Sequence, residues 1–221
     1  MKIDDARNDE QPGSRVEKPN PIVVKITNTG GWVIDASMNE ELHERGYFGI
    51  VDRNSELLFL HPEEIMVFSE RNRLIGFLNE TTSQIKELLP ELYQKWEEDG
   101  YDSFAGDDRI LSFEALTKHY SEHIEDFWDM YVVYRDLKSR GYIARRGIEE
   151  IAHFRVYKKG ARKGEDAVKF IFFGVFEGKP IPIVKLHEIS EYAMKNRQEL
   201  ILATVDRLSD ITYYSLKKQV L

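Results

Sequence analysis

The chain contains no cysteine. That excludes a disulfide scaffold, a thiolate zinc site and a cysteine nucleophile, and it fits a reducing compartment. No apolar run is long enough to span a membrane. The first residues, MKIDDARNDEQPGSR, lack the apolar core of a signal peptide. The expectation is a cytoplasmic chain that meets no membrane. Positive charge is in short supply: 31 Lys and Arg stand against 39 Asp and Glu, a net charge of −8. Such a balance argues against coating nucleic acid through mean charge. Standard site motifs are missing too, with no phosphate-binding glycine loop, paired-histidine zinc helix or nucleophile elbow. What is present is a 221-residue chain, 42% hydrophobic, able to bury one large core or two small ones.

The mean charge hides an asymmetry. Residues 1–134 carry 13 basic and 28 acidic side chains, a balance of −15. Residues 135–169 carry 11 and 5, giving +6, and residues 170–221 carry 7 and 6, giving +1. A local basic segment on an acidic protein is either a solvated face or a contact for a polyanion.

Residues 1–20 are polar and read as a tail that orders only on contact. Ile22–Ile26 and Trp32–Ile34 flank Asn28-Thr29-Gly30-Gly31, the pattern of a hairpin. A short helix is expected over 38–45, a strand over 57–60, and a helix from Pro62 to about Arg71. A longer helix is expected from the Thr81-Thr82-Ser83 cap to Glu97, broken or kinked at Pro90, followed by an acidic loop over 98–108. One helix is expected over 122–140, with Phe127, Met130, Tyr131, Tyr134 and Leu137 forming its apolar stripe and Gly141 ending it. Strands are expected at 142–145, 153–157 and 168–176, a helix at 185–197, and two strands at 200–205 and 211–216. The fold class is α+β. His119 and His123, four apart on a helix, could share a metal, yet no third ligand is placed beside them.

The informative stretch is Tyr134-Arg135-Asp136-Leu137 with Arg140-Gly141-Tyr142, followed by Phe154-Arg155-Val156-Tyr157. Asn196–Asp206 and Asp210–Tyr214 continue it. In this order the motifs closely resemble the archaeal tRNA-splicing endonuclease family, whose members read Y-x-D-L-x-x-R-G-Y, D-F-R-V-Y and V-R-K-x-L-x-L-A-V-V-D. The resemblance covers roughly residues 38–216 and is stronger after 126. After the polar tail (1–20), it implies a small N-terminal α/β domain (21–121) and a C-terminal nuclease-like domain (122–221) with a mixed sheet and flanking helices.

The family cuts RNA without metal or cofactor, leaving a 2′,3′-cyclic phosphate and a 5′-hydroxyl. A base must take the 2′-hydroxyl proton, an acid must protonate the leaving oxygen, and a cation must steady the phosphate. The family uses Tyr, His and Lys. Here Tyr157 keeps the tyrosine, Ala167 stands at the histidine and Gln198 at the lysine. A one-residue slip brings Asp166 or Val168 to the histidine position and Glu199 to the lysine position, restoring neither. Two arginines that clamp a base are matched by Glu191 and Leu216. His153 and Lys169, or His187 and Lys195, are the candidate substitutes.

The resemblance therefore implies a non-catalytic, structural subunit of a heterotetrameric endonuclease. Its partners would be a catalytic subunit and, through the complex, precursor tRNA with bulge–helix–bulge splice sites. Candidate RNA contacts are Arg155, Lys158, Lys159, Arg162 and Lys163. Candidate interface residues are Glu165, Asp166, Ile211, Tyr213 and Leu216. An active homo-oligomeric ribonuclease with a site rearranged around Tyr157, and a non-enzymatic interaction module on the same fold, stand as alternatives.

Overall fold

A computed structural model describes residues 19–148, 151–161 and 167–216. The expectations for residues 1–18, and for Arg162, Lys163, Glu165 and Asp166, lie outside the described residues. Two five-stranded mixed sheets carry the fold. The first is built from β1 (Ile22–Thr27), β2 (Gly30–Val33), β3 (Ile50–Val51), β4 (Leu58–Leu60) and β5 (Leu74–Phe77), in the order β3-β4-β2-β1-β5. The second is built from β6 (Ala144–Arg146), β7 (Phe154–Val156), β8 (Phe170–Phe176), β9 (Glu199–Val205) and β10 (Ile211–Leu216), in the order β10-β9-β8-β7-β6. Each sheet has one parallel pair, β1 with β5 and β8 with β9.

Three helices fill the space between the sheets: α1 (Pro62–Glu70), α3 (Phe113–His123) and α4 (Phe127–Ser139). One buried cluster runs from Ile22 and Val24 through Ile65, Phe68, Tyr120 and Tyr134 to Phe154 and Ala203. On the outer face of the first sheet, α2 (Thr82–Asp99) buries Ile85, Leu92 and Trp96 against Val23, Ile75 and Phe77. On the outer face of the second, α5 (Ile183–Lys195) buries Ile189 and Ala193 against Ile171 and Leu200. Alternate strand residues thus feed two different cores, as a period of two requires.

Local signals set several boundaries. Pro62 opens α1, where its missing N–H costs nothing. Thr81 caps α2 by accepting from the Gln84 N–H, while the Gln84 side chain accepts from the Thr81 N–H at 2.8 Å. Other expectations fail for tertiary reasons. α2 continues unbroken through Pro90, with apolar residues on both sides of it seated on the same sheet. Residues 98–108 are not simply a loop: α2 reaches Asp99 and a 3₁₀ turn over Gly100–Phe104 buries Phe104. Residues 36–45 form a 3₁₀ turn and a wide π turn, which closes when the Gly46 N–H donates to Glu41 O at 2.9 Å.

The helix expected over 122–140 begins only at Phe127. A separate helix, α3, ends at His123, and Asp126 takes a left-handed φ of 55° at the junction. Glu125 and Asp126 both grip Lys179 from the β8–α5 connection. Strand β5 was not foreseen; it pairs beside β1 and is buried along its whole length.

The first turn of α1 carries the strongest polar constraint. Glu63 is 1% exposed and lies 2.7 Å from Nε of Arg146 on β6. Neither Glu63 oxygen receives a hydrogen bond among the described residues, so charge attraction holds the pair. Glu64 accepts from the Gly49 N–H at 2.9 Å and the His61 N–H at 2.8 Å. Burial pushes the Glu64 carboxyl up to about 7. Burial also brings Lys138 down to about 8, against the pull of Glu64. Breaking a buried pair strands the surviving charge. Arg146→Met should therefore cost about 3–5 kcal/mol, and the double variant Glu63→Leu/Arg146→Met much less. Urea unfolding at pH 7 checks this; a loss below about 1 kcal/mol for the single variant contradicts the pairing.

Candidate functional site

The register of the second sheet decides which residues meet. Phe170 pairs with Val156 on one side and with Glu199 on the other. The pairing continues one step beyond the strand ends. The Tyr157 N–H donates to Ile143 O at 2.9 Å, the Lys169 N–H to Val156 O at 3.0 Å, and the Glu199 N–H to Lys169 O at 3.0 Å. Tyr157, Lys169 and Gln198 therefore stand in one row at the ends of three neighbouring strands. Residues opposite one another share a face of a sheet, about 5 Å apart. The row lies on the face covered by α5, at the end where that helix finishes.

The approach to Gln198 is a tight helix exit. The Asn196, Arg197 and Gln198 N–H groups donate to Tyr192 O, Met194 O and Ala193 O at 3.1, 3.0 and 2.8 Å, and Arg197 takes a φ of 55°. The Tyr192, Ala193 and Met194 carbonyls in the last turn of α5 are thereby satisfied by their own chain. Gln198 is half-buried, and its Oε1 is enclosed with no hydrogen-bond donor among the described residues. Ala167, two residues before Lys169, is exposed and brings only a methyl group. Lys158 and Lys159 follow Tyr157 directly and are exposed, with the Lys159 ammonium 4.9 Å from the centre of the Tyr142 ring. Arg155 is half-buried and spends its Nε–H on Arg146 O at 3.1 Å.

His153 does not reach this row. It lies four residues back along β7, about 13 Å away. Its Nδ1 accepts from the Gly174 N–H at 2.8 Å, which leaves the ring neutral with its proton on Nε2. The ring stacks on Phe173 and Phe176. It lines a cleft of about 680 Å³ between the two sheets, together with His61 and Arg146. Burial, then the Arg146 charge, hold its pKa down to about 4. His187 and Lys195 are exposed on α5. Of the four candidate substitutes, Lys169 is the one that strand register places in line with Tyr157 and Gln198. Its sequence spacing gave no sign of this; the cross-strand register does.

The remaining candidates have ordinary partners. His119 Nε2 meets Thr27 O at 3.3 Å and His123 Nδ1 meets His119 O at 2.7 Å, so backbone carbonyls occupy both rings. Among the described residues no three ligands converge on a metal position. Tyr213 faces inward, donating to Asp136 at 2.6 Å and packing on Phe172, while Ile211 packs on the same core. Leu216 and Tyr214 are exposed on β10, an edge strand of the sheet. Glu191 is half-buried on α5. Among the described residues no helix is long and apolar enough to cross a membrane.

Residues 127–213 match the family described as "tRNA intron endonuclease, catalytic C-terminal domain". A tRNA-splicing endonuclease of Pyrococcus abyssi is 30% identical over 120 residues, 54% of this chain and 68% of that protein. One from Pyrococcus furiosus is 29% identical over 159 residues, 68% of this chain and 90% of that protein. One from Methanosarcina acetivorans is 37% identical over 109 residues, 49% of this chain. The chain belongs to the tRNA-splicing endonuclease family. It spans about 30% of the length of the Methanosarcina relative.

Because the folded pKa of His153 lies below its unfolded value, its contribution to stability is present above about 6.5 and lost as the pH falls toward 4. The stability advantage of wild type over His153→Gln should shrink by about 3 kcal/mol across that window. Urea unfolding at stepped pH measures it, and a flat difference refutes the neutral, acceptor ring.

Proposed function

We propose that this chain is a structural, non-catalytic subunit of a tRNA-splicing endonuclease. It would assemble with a catalytic chain of the same fold, two copies of each, so that two active sites sit at the separation of two splice sites. The observation that carries this reading is the identity of the residues at the three positions where the family resemblance expects Tyr, His and Lys. Tyr157 is retained, but Ala167 has no proton to give and Gln198 has no charge. Removing a general acid costs ~10²–10⁴ in rate, and removing a charge stabiliser costs about 10²–10³ more. His153 is too distant to replace the acid, so the rearranged active site gains no support from the geometry. In this reading residues 21–121 and 122–221 are the two domains. Precursor tRNA reaches the chain through the complex, and the setting is cytoplasmic. The partner supplies the Tyr, His and Lys that yield a 2′,3′-cyclic phosphate and a 5′-hydroxyl.

The test uses the purified chain, an intron-containing precursor tRNA and a catalytic homologue. The chain alone should leave the RNA intact. Mixed with the catalytic chain, it should co-elute as one larger species that cuts. The double variant Ala167→His/Gln198→Lys should give the isolated chain cleavage at least about tenfold above background, given the cost of losing these groups. Robust cutting by the isolated wild-type chain, lost on Tyr157→Phe, overturns the proposal.

A further inference from the structure

Lys138 stands in the last turn of α4 with its side chain half-buried. Its ammonium lies 3.9 Å from the centre of the Phe48 ring, which offers a π face but no lone pair. Among the described residues no acceptor bonds to it and no carboxylate lies within ion-pair distance. Glu64 is the acid that attracts it, yet both Glu64 oxygens are engaged by the Gly49 and His61 N–H groups. The other charges acting on Lys138 are positive: Arg71 at the end of α1 and Arg145 on β6. Burial, helped by these two cations, holds its pKa down to about 8 against the pull of Glu64.

The surroundings are short of acceptors. Arg145 Nη2 is enclosed with no acceptor among the described residues. Tyr134 precedes Lys138 by four residues, so the two share a face of α4. Its hydroxyl is enclosed beside Glu64 but outside hydrogen-bond geometry. Buried donors left unpaired are costly and call for an explanation. The formal charges of Glu64, Lys138, Arg71 and Arg145 sum to +2 with an ammonium at 138, and to zero with an anion there. A lysine amine desolvated beside other cations gives up its proton readily and becomes a nucleophile.

We propose that Lys138 is a carbamylation site, where carbon dioxide adds to the ε-amine and turns a half-buried cation into an anion. The ammonium first loses one proton to water. The nitrogen lone pair then bonds to the carbon of CO₂, one C–O π pair moves onto oxygen, and the nitrogen releases a second proton to water. One ammonium and one CO₂ thus give one carbamate and two protons. The carbamate brings two acceptor oxygens to a place where Arg145 Nη2 and the Tyr134 hydroxyl have no acceptor. It forms where α4 packs against α1 and β6, and so ties the two halves of the fold. The site is separate from the row of Tyr157, Lys169 and Gln198, and does not depend on whether the chain cuts RNA.

The test is chemical trapping on the full chain. The protein is held at about pH 8 in isotope-labelled bicarbonate, ethylated with triethyloxonium, digested and mapped by mass. Trapped label on Lys138 should exceed that on Lys118, an exposed lysine of α3, by at least about tenfold. Arg145→Gln should lower the trapped fraction about tenfold, and Arg145→Lys should keep most of it. Bicarbonate should raise the melting temperature of wild type above that in sodium chloride of equal ionic strength, because CO₂ is held by the folded chain. Lys138→Arg, which keeps the cation and removes the amine, should melt alike in the two salts. Label on Lys138 no greater than on Lys118 overturns the site, and this wild-type map decides the question even where a variant fails to fold. An undiminished yield in Arg145→Gln overturns the assigned partner. An equal bicarbonate effect in wild type and Lys138→Arg reports the anion alone and also counts against the site.

Discussion

A single buried carboxylate holds the two halves of the polar framework together. Glu63, in the first turn of α1, is enclosed between the sheets and meets Arg146 at the edge of the second. An unpaired charge in that position would be intolerable, so α1 and β6 must stay in register with each other. Glu64 beside it ties α1 to the loop at Gly49. The apolar cluster around α1, α3 and α4 supplies most of the burial, but dispersion and solvent exclusion have no preferred direction. The ion pair does have one, and it sets where β6 lies.

From β6 the ladder runs through β7 and β8 to β9, and the row of candidate residues follows from it. A strand shifted by one position would turn Tyr157, Lys169 or Gln198 to the opposite face. The apolar neighbours prevent such a slip, because Val156 and Phe154 belong to the inner core while Ile171 and Leu200 belong beneath α5. Core packing on both faces of one sheet therefore fixes the geometry of a polar site at its end. The site brings together a phenol, an ammonium and an amide.

Much of the fold was legible because it depends on neighbours in sequence. Pro62, the Thr81–Gln84 box and Gly141 mark helix ends through groups within a turn of one another. The hairpin of β1 and β2 was equally local. The break at Asp126 was not, because the residue that holds it, Lys179, arrives from the far side of β8. The unbroken passage of α2 through Pro90 was hidden for the same reason: the sheet beneath it outweighs the local cost of proline.

At the candidate site the division is sharper. The sequence alone determined the α+β class, the family and which residues stand at 157, 167 and 198, since those are matters of residue identity within ordered motifs. It also brought Lys169 and His153 forward as equal substitutes. Only the tertiary structure separated them, placing Lys169 beside Tyr157 and His153 in the cleft between the sheets. The physical reason is that strand pairing joins residues by backbone hydrogen bonds across long stretches of chain. Which side chains become neighbours then depends on register, and register is set by the cores on either face of the sheet.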